Sequence, residues 1–251
     1  MIPVFEGRFL RLLLTERSRD HLFVSFDHWE RGRRGFAAIG ETSIFDRRGW
    51  SHLRVQAARN DWFLNPDLLA ALSAAAKAAA RFARVTTYGF SMGGYAALRC
   101  ATALGARRAV SISPQATPDP RRTPFETRWP RARAAADTSL DDLSGLDARG
   151  VETVAVYDPR VRADNRQLRV LRRRVARLHV LALPFGGHPA TRVIREGGSL
   201  GSFTELLLTA PRLERAEALA HHKRARRNST AYRAALEAAL AERSARYGEG
   251  A

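Results

Sequence analysis

The segment Gly89-Phe90-Ser91-Met92-Gly93-Gly94 constrains this chain more than any other. It follows the apolar run Val85-Thr86-Thr87-Tyr88 and opens the small-residue run Tyr95-Ala96-Ala97-Leu98. The order reads as strand, sharp turn and helix, with a serine at the apex. Such a turn forces the serine backbone into a strained conformation that only small neighbours tolerate. Gly89 and Gly93 supply that room. The serine hydroxyl then stands proud of a sheet beside the free N–H groups of a helix start, two ingredients of a nucleophile site. Taken alone, the pattern also fits a serine that merely caps a helix. The flanking strand and helix favour the nucleophile.

A distal acid and histidine follow in order. The apolar run Val151-Glu152-Thr153-Val154-Ala155-Val156-Tyr157 ends in Asp158-Pro159-Arg160-Val161. The run Leu178-His179-Val180-Leu181-Ala182-Leu183 ends in Pro184-Phe185-Gly186-Gly187-His188. Serine, aspartate and histidine each fall just past a predicted strand. In these motifs the chain resembles the α/β-hydrolase superfamily over roughly residues 20 to 200, most specifically in the elbow and the histidine loop.

The resemblance implies a triad in which Ser91 is the nucleophile, His188 the general base and acid, and Asp158 the carboxylate that orients the imidazole. It also implies an oxyanion hole from the backbone N–H of Met92 and a second donor near Phe26 or Asp27, after the strand Leu22-Phe23-Val24-Ser25. Where many family members carry His-Gly after that strand, this chain has Phe26-Asp27-His28. Asp164 is a rival to Asp158. Asp158 is preferred because it sits directly at the strand end, whereas Asp164, followed by Asn165, reads as a helix N-cap. In Ala57-Ala58-Arg59-Asn60-Asp61-Trp62 the usual glycine-rich turn is missing, and Trp62 is expected to wall the pocket.

The fold class expected is α/β: a doubly wound, mostly parallel sheet of α/β-hydrolase type with a C-terminal helical extension. Strands are predicted at Phe9 to Leu14, Leu22 to Phe26, Leu53 to Ala57, Val85 to Tyr88, Arg108 to Ile112, Thr153 to Tyr157 and His179 to Leu183. Helices are predicted at Pro66 to Phe82, Met92 to Leu104, Leu140 to Leu146, Asn165 to Arg177, Pro189 to Arg195, Pro211 to Arg227 and Ser229 to Arg246. A capping box at Ser202-Phe203-Thr204-Glu205 is expected to open another at Leu206. Strand alternating with helix implies right-handed crossovers, so the strand C-termini share one edge and Ser91, Asp158 and His188 converge there. Residues 1–210 form the hydrolase-like domain, with a small cap at 114–150. Residues 211–251 form the extension, whose segment 211–247 could pair with a second copy or dock a protein partner.

The chain has 251 residues, enough for one sizeable core. Its formal charge of +17 comes almost wholly from arginine, the lysines being Lys77 and Lys223. Such a charge attracts polyanions at low salt. The arginines form no nucleic-acid module and lack interleaved aromatics, which argues against a dedicated nucleic-acid role. Arg121, Arg122, Arg128 and Arg131 in the cap are candidates to meet an anionic substrate. The single cysteine, Cys100, excludes an internal disulfide and any cysteine-rich metal site, and its helix position suggests packing. There is no apolar run of membrane-spanning length and no signal-peptide pattern, so the expected location is cytoplasmic. No metal spacing and no dinucleotide loop occurs, so no cofactor is expected. The function implied is hydrolysis of an ester, thioester or similar acyl bond of a small molecule. Two alternatives are acyl transfer by the same triad and a non-catalytic hydrolase-like binding module associated with surface-polysaccharide machinery. The last rests on a looser likeness in the Ser-Met-Gly-Gly-Tyr-Ala elbow and Ser113-Pro114-Gln115.

Overall fold

The computed structural model describes residues 1–38, 43–148 and 150–248. Eight strands form one sheet: β1 (Ile2–Glu6), β2 (Leu10–Thr15), β3 (Leu22–Phe26), β4 (Ser51–Ala57), β5 (Val85–Phe90), β6 (Arg108–Ile112), β7 (Glu152–Tyr157) and β8 (Leu178–Ala182). Their spatial order is β1-β2-β4-β3-β5-β6-β7-β8. The β1–β2 and β2–β4 pairs are antiparallel, and every other pair is parallel. The doubly wound, mostly parallel sheet expected from the sequence is therefore present. Its central strands are covered on both faces, which is why β3, β5 and β6 read as apolar runs rather than alternating ones.

Ten helices accompany the sheet among the described residues: α1 (Ile44–Arg47), α2 (Leu68–Ala79), α3 (Met92–Ala101), α4 (Pro130–Ala134), α5 (Gly145–Ala148), α6 (Arg162–Arg174), α7 (Arg192–Glu196), α8 (Leu200–Thr209), α9 (Arg215–Ala225) and α10 (Thr230–Gly248). Two apolar layers sandwich the sheet. On one face α2, α3 and α6 contribute Ala71, Ala75, Tyr95, Leu98, Leu168 and Leu171. On the other, α1, α7, α8 and α9 contribute Phe45, Val193, Ile194, Phe203, Leu207 and Ala218. Alanine at the α2 and α3 contacts lets those helix backbones lie close to the sheet.

Several expectations change. The strand β1 was not predicted; Pro3 within Ile2–Glu6 argues against a central strand but is compatible with an edge, where one N–H faces outward. The helix expected at Leu140 to Leu146 is instead a 3-10 turn at Thr138–Leu140 followed by α5. The capping box at Ser202 is not formed, because α8 already begins at Leu200 and the Ser202 hydroxyl donates to the Ser199 carbonyl. The C-terminal segment packs against the sheet's second layer through Leu213, Ala218, Ala225 and Tyr232. Glu196 at the end of α7 accepts from the Ser229 hydroxyl at 2.7 Å and the Ala231 N–H at 3.0 Å, tying down the start of α10. Further along α10, Leu240 is 53% exposed.

Candidate active site

The elbow lies between β5 and α3. Ser91 has φ 52° and ψ −116°, a conformation that side-chain-bearing residues rarely adopt. The glycines explain how it is tolerated. A Cβ on Gly89 would lie 2.2 Å from the Gly93 carbonyl oxygen, and one on Gly93 would lie 2.4 Å and 2.6 Å from the carbonyl oxygens of Phe26 and Asp27. The missing atoms let α3 and the loop after β3 close directly on the turn. The Ser91 N–H donates to the Ile112 carbonyl at 2.8 Å, which anchors the turn to β6.

His188 arrives from the loop after β8. Its Nε2 lies 2.9 Å from Ser91 Oγ, and its Nδ1 lies 2.7 Å from Asp164 Oδ2. An ionised carboxylate can only accept, so Nδ1 carries the proton, and in the neutral ring Nε2 is left to accept from the serine hydroxyl. The structure thus brings together two of the three residues named as the triad, but with the rival aspartate. Asp158 does not reach the imidazole. Its Oδ2 accepts the Gly187 N–H and its Oδ1 the Arg160 N–H, each at 2.8 Å. Burial raises its pKa, and these backbone hydrogen bonds oppose the rise. Asp158 therefore fixes the backbone of the loop that carries His188, and Asp164, 1% exposed, holds the ring.

The physical reason is the position at which α6 begins. The helix starts at Arg162, three residues before the predicted Asn165, and its N-cap residue is Val161. Asp164 is consequently inside the first turn, not capping it. It shares the buried face of α6 with Gln167, Leu168 and Leu171. That spacing of three, four and seven residues was visible in the sequence. A carboxylate on the inward stripe of an amphipathic helix requires a buried partner.

The segment at 114–150 supplies further neighbours. Arg128 Nη2 lies 2.7 Å from Asp164 Oδ1 and 2.7 Å from Glu126 Oε2. Its guanidinium also sits over the Trp129 ring, 4.5 Å from the centroid. The Trp129 ring lies 5.5 Å from that of His188 and about 6 Å from those of Trp29 and Trp62. Trp62, expected at the pocket wall, is 1% exposed and packs on Trp129, whose ring in turn meets His188. Gln115 Oε1 stands 3.3 Å from the serine hydroxyl, and Ser91 itself is only 6% exposed. Gln115, just past the end of β6, has no local sequence signal that places it at the serine.

The expected oxyanion donors fare unequally. Met92 is the first residue of α3, where N–H groups have no partner within the helix. The Asp27 N–H is not available, because it donates to the Val55 carbonyl at 3.2 Å. Phe26 lies within the sheet, in register with Val55 on one side and Gly89 on the other. The Asp27 carboxylate accepts from Arg33 at 3.0 Å and from the Ala57 N–H at 3.2 Å, which ties it to the β4 side. The arginines proposed for an anionic substrate are largely committed. Arg121 and Arg122 pair with Asp119, Arg122 also with Asp141, and Arg128 with Glu126 and Asp164. Arg131 is exposed. Cys100 is buried in α3, and burial pushes its thiol up to about 12, so packing is its role. Among the described residues no group of three or more His, Cys, Asp or Glu side chains could hold a metal ion, and no helix is long and apolar enough to cross a membrane.

No family model and no curated protein matches the chain. Similar solved structures include the Pyrococcus furiosus esterase Pf2001, at 13% identity over 80% of this chain and 88% of that one, with a TM-score of 0.46. Est1E from Butyrivibrio proteoclasticus is 12% identical over 73% and 88%, with a TM-score of 0.48. Mycobacterium tuberculosis MPT51 (FbpC1) is 12% identical over 77% and 92%, with a TM-score of 0.46. The strand order, with its antiparallel β1 and β2 beside six parallel strands, and the strained serine between β5 and α3 give this chain the α/β-hydrolase fold.

Proposed function

We propose that this chain is a serine hydrolase that cleaves an ester, thioester or similar acyl bond of a small molecule. One observation carries the reading: the hydroxyl of Ser91, the imidazole of His188 and the carboxylate of Asp164 form an unbroken chain of contacts at 2.9 and 2.7 Å. In this reading Ser91 Oγ attacks the acyl carbon while His188 Nε2 takes its proton. Asp164 holds the ring and stabilises the imidazolium. The oxygen of the tetrahedral intermediate faces the Met92 N–H at the start of α3, where the helix dipole also favours negative charge. The imidazolium then returns the proton to the departing alcohol or thiol. Water, activated by the same base, releases the acid from the acyl-enzyme. Residues 114–150 act as the cap, since Arg128 and Trp129 sit against Asp164 and His188. If water is excluded and a second hydroxyl or amine enters, the same cycle performs acyl transfer.

The test is labelling by a fluorophosphonate probe together with turnover of short-chain aryl esters. The reading expects wild-type labelling at residue 91, no labelling of Ser91→Ala, and loss of most turnover in both Ser91→Ala and His188→Ala. Undiminished labelling of Ser91→Ala contradicts it. A folded wild-type protein that neither labels nor turns over any ester would favour the non-catalytic binding module.

A further inference from the structure

We propose that Arg128 is a positioning residue for the triad, acting through Asp164; the inference rests on the serine-hydrolase reading above. Asp164 is 1% exposed, and each of its two oxygens has a neighbour. Oδ2 is taken by His188 Nδ1 and Oδ1 faces Arg128 Nη2, each at 2.7 Å. A buried carboxylate with one free oxygen can rotate about χ2 and lose its hold on the ring. The guanidinium opposes that rotation as an ion pair with Oδ1, although its N–H groups are not aligned for a hydrogen bond to that oxygen. Arg128 is in turn held in place by Glu126, which accepts from Nε at 2.8 Å and from Nη2 at 2.7 Å, and by the face of Trp129. Glu126 is itself buried and accepts from Gln167, one turn along α6 from Asp164, at 3.1 Å. The loop then closes on α6 itself: Asp164, Arg128, Glu126 and Gln167 form a ring of contacts that links cap and helix.

The arrangement also sets the charge around the imidazole. Asp164 from α6 contacts the ring; behind it lie Arg128 and Glu126 from the cap, while Asp158 after β7 binds the Gly187 N–H beside the histidine and Arg160 lies over Phe185. Arg128 is the cation in direct contact with the carboxylate that holds the ring. It offsets part of the charge of Asp164, so the imidazolium gains less from that carboxylate than it would from an unpaired one. A residue that served only to hold the cap would leave the protonation of His188 unchanged when replaced by a neutral group of similar size.

Two measurements test this. The first follows the His188 imidazole signals by NMR against pH in wild type, Arg128→Gln and Arg128→Lys, and needs no substrate. The titration midpoint is expected to rise by about 0.5 to 1 pH unit in Arg128→Gln and to stay near wild type in Arg128→Lys. The second compares ester turnover in the same proteins. In Arg128→Gln kcat is expected to fall about 10- to 100-fold with KM changed less than about threefold, and Arg128→Lys or added guanidinium is expected to recover part of the loss. An unchanged midpoint in a folded Arg128→Gln protein overturns the proposal; if the glutamine variant does not fold, Arg128→Met is titrated in its place, with the same rise expected and an unchanged midpoint again overturning it. Loss of turnover in wild type itself strikes the hydrolase reading instead, and the NMR titration still decides the role of Arg128.

Discussion

The carboxylate that contacts the His188 imidazole belongs to Asp164, in the first turn of α6, while Asp158, six residues earlier and nearer the end of β7, binds the backbone of the histidine loop. The two acids divide what one might have done. Asp158 shapes the loop by accepting from Gly187 and Arg160, and Asp164 orients the ring from the adjoining helix. The division has a cost in charge, because two carboxylates lie near each other, and Asp164 is among the causes that raise the pKa of Asp158. Arg128 on Asp164 and three backbone donors on Asp158 offset that repulsion.

The elbow glycines are expected to be intolerant of the smallest addition. In Gly93→Ala the new methyl meets two backbone carbonyl oxygens, at 2.4 and 2.6 Å, neither of which can swing aside like a side chain. Urea unfolding should register a loss of about 2 to 3 kcal/mol, with turnover falling alongside as the loop after β3 is pushed from the serine. A stability within about 0.5 kcal/mol of wild type would mean that the close approach of loop and elbow is absent in solution.

The buried histidines should contribute a loss of stability as pH falls below about 6.5. Burial against Phe45 holds the His52 pKa down to about 3, with Arg54 adding to the effect, and burial holds His222 down to about 4. The unfolded chain binds protons at these histidines near pH 6.5, whereas the folded chain keeps them neutral. Their contribution is complete above about pH 6.5 and is lost as pH falls toward the folded values, at up to about 1.4 kcal/mol per pH unit for each. Asp27, Asp61 and Asp158, raised chiefly by burial, act in the opposite sense. The comparison that isolates the histidine is therefore wild type against His52→Gln. Between pH 6 and 5 the variant should lose stability less steeply. Equal slopes would place the His52 ring in water.

Tyr95 offers a test of the layer beneath the site. Its hydroxyl donates to Asp141 at 2.7 Å, and Asp141 also takes Thr117 and Arg174. Tyr95→Phe removes one of these charged hydrogen bonds while the other partners remain, so a loss of about 1 to 2 kcal/mol is expected in thermal or urea unfolding, with kcat nearly unchanged. A large fall in kcat would connect this network to the chemistry.

Much of this molecule was legible as sequence, and the exceptions share a cause. The central strands were legible because burial on both faces makes them continuous apolar runs; β3 and β6 have the predicted bounds. The elbow was legible because only glycine fits beside its carbonyls. Ser91 and His188 meet as the strand-end logic implied. What was missed depends on contacts between segments distant in sequence. β1 is a strand because β2 offers it an edge, although Pro3 speaks against it. Asp164 ranks second in sequence because a helix starting at Asn165 makes it a cap, and its partners, His188 and Arg128, lie 24 and 36 positions away in opposite directions. The Asp27 N–H is taken by Val55, a pairing between strands that local sequence does not reveal.

The account is tested most directly by kcat/KM for one aryl ester measured side by side in Asp164→Asn and Asp158→Asn. The contact between Asp164 and the imidazole predicts a fall on the order of 10⁴-fold for Asp164→Asn, as the amide favours the wrong tautomer of His188. For Asp158→Asn, whose amide oxygen keeps one backbone partner while its NH2 opposes the other, it predicts a smaller loss, roughly 10- to 100-fold. The reverse order, with Asp158→Asn nearly inactive and Asp164→Asn close to wild type, would contradict it.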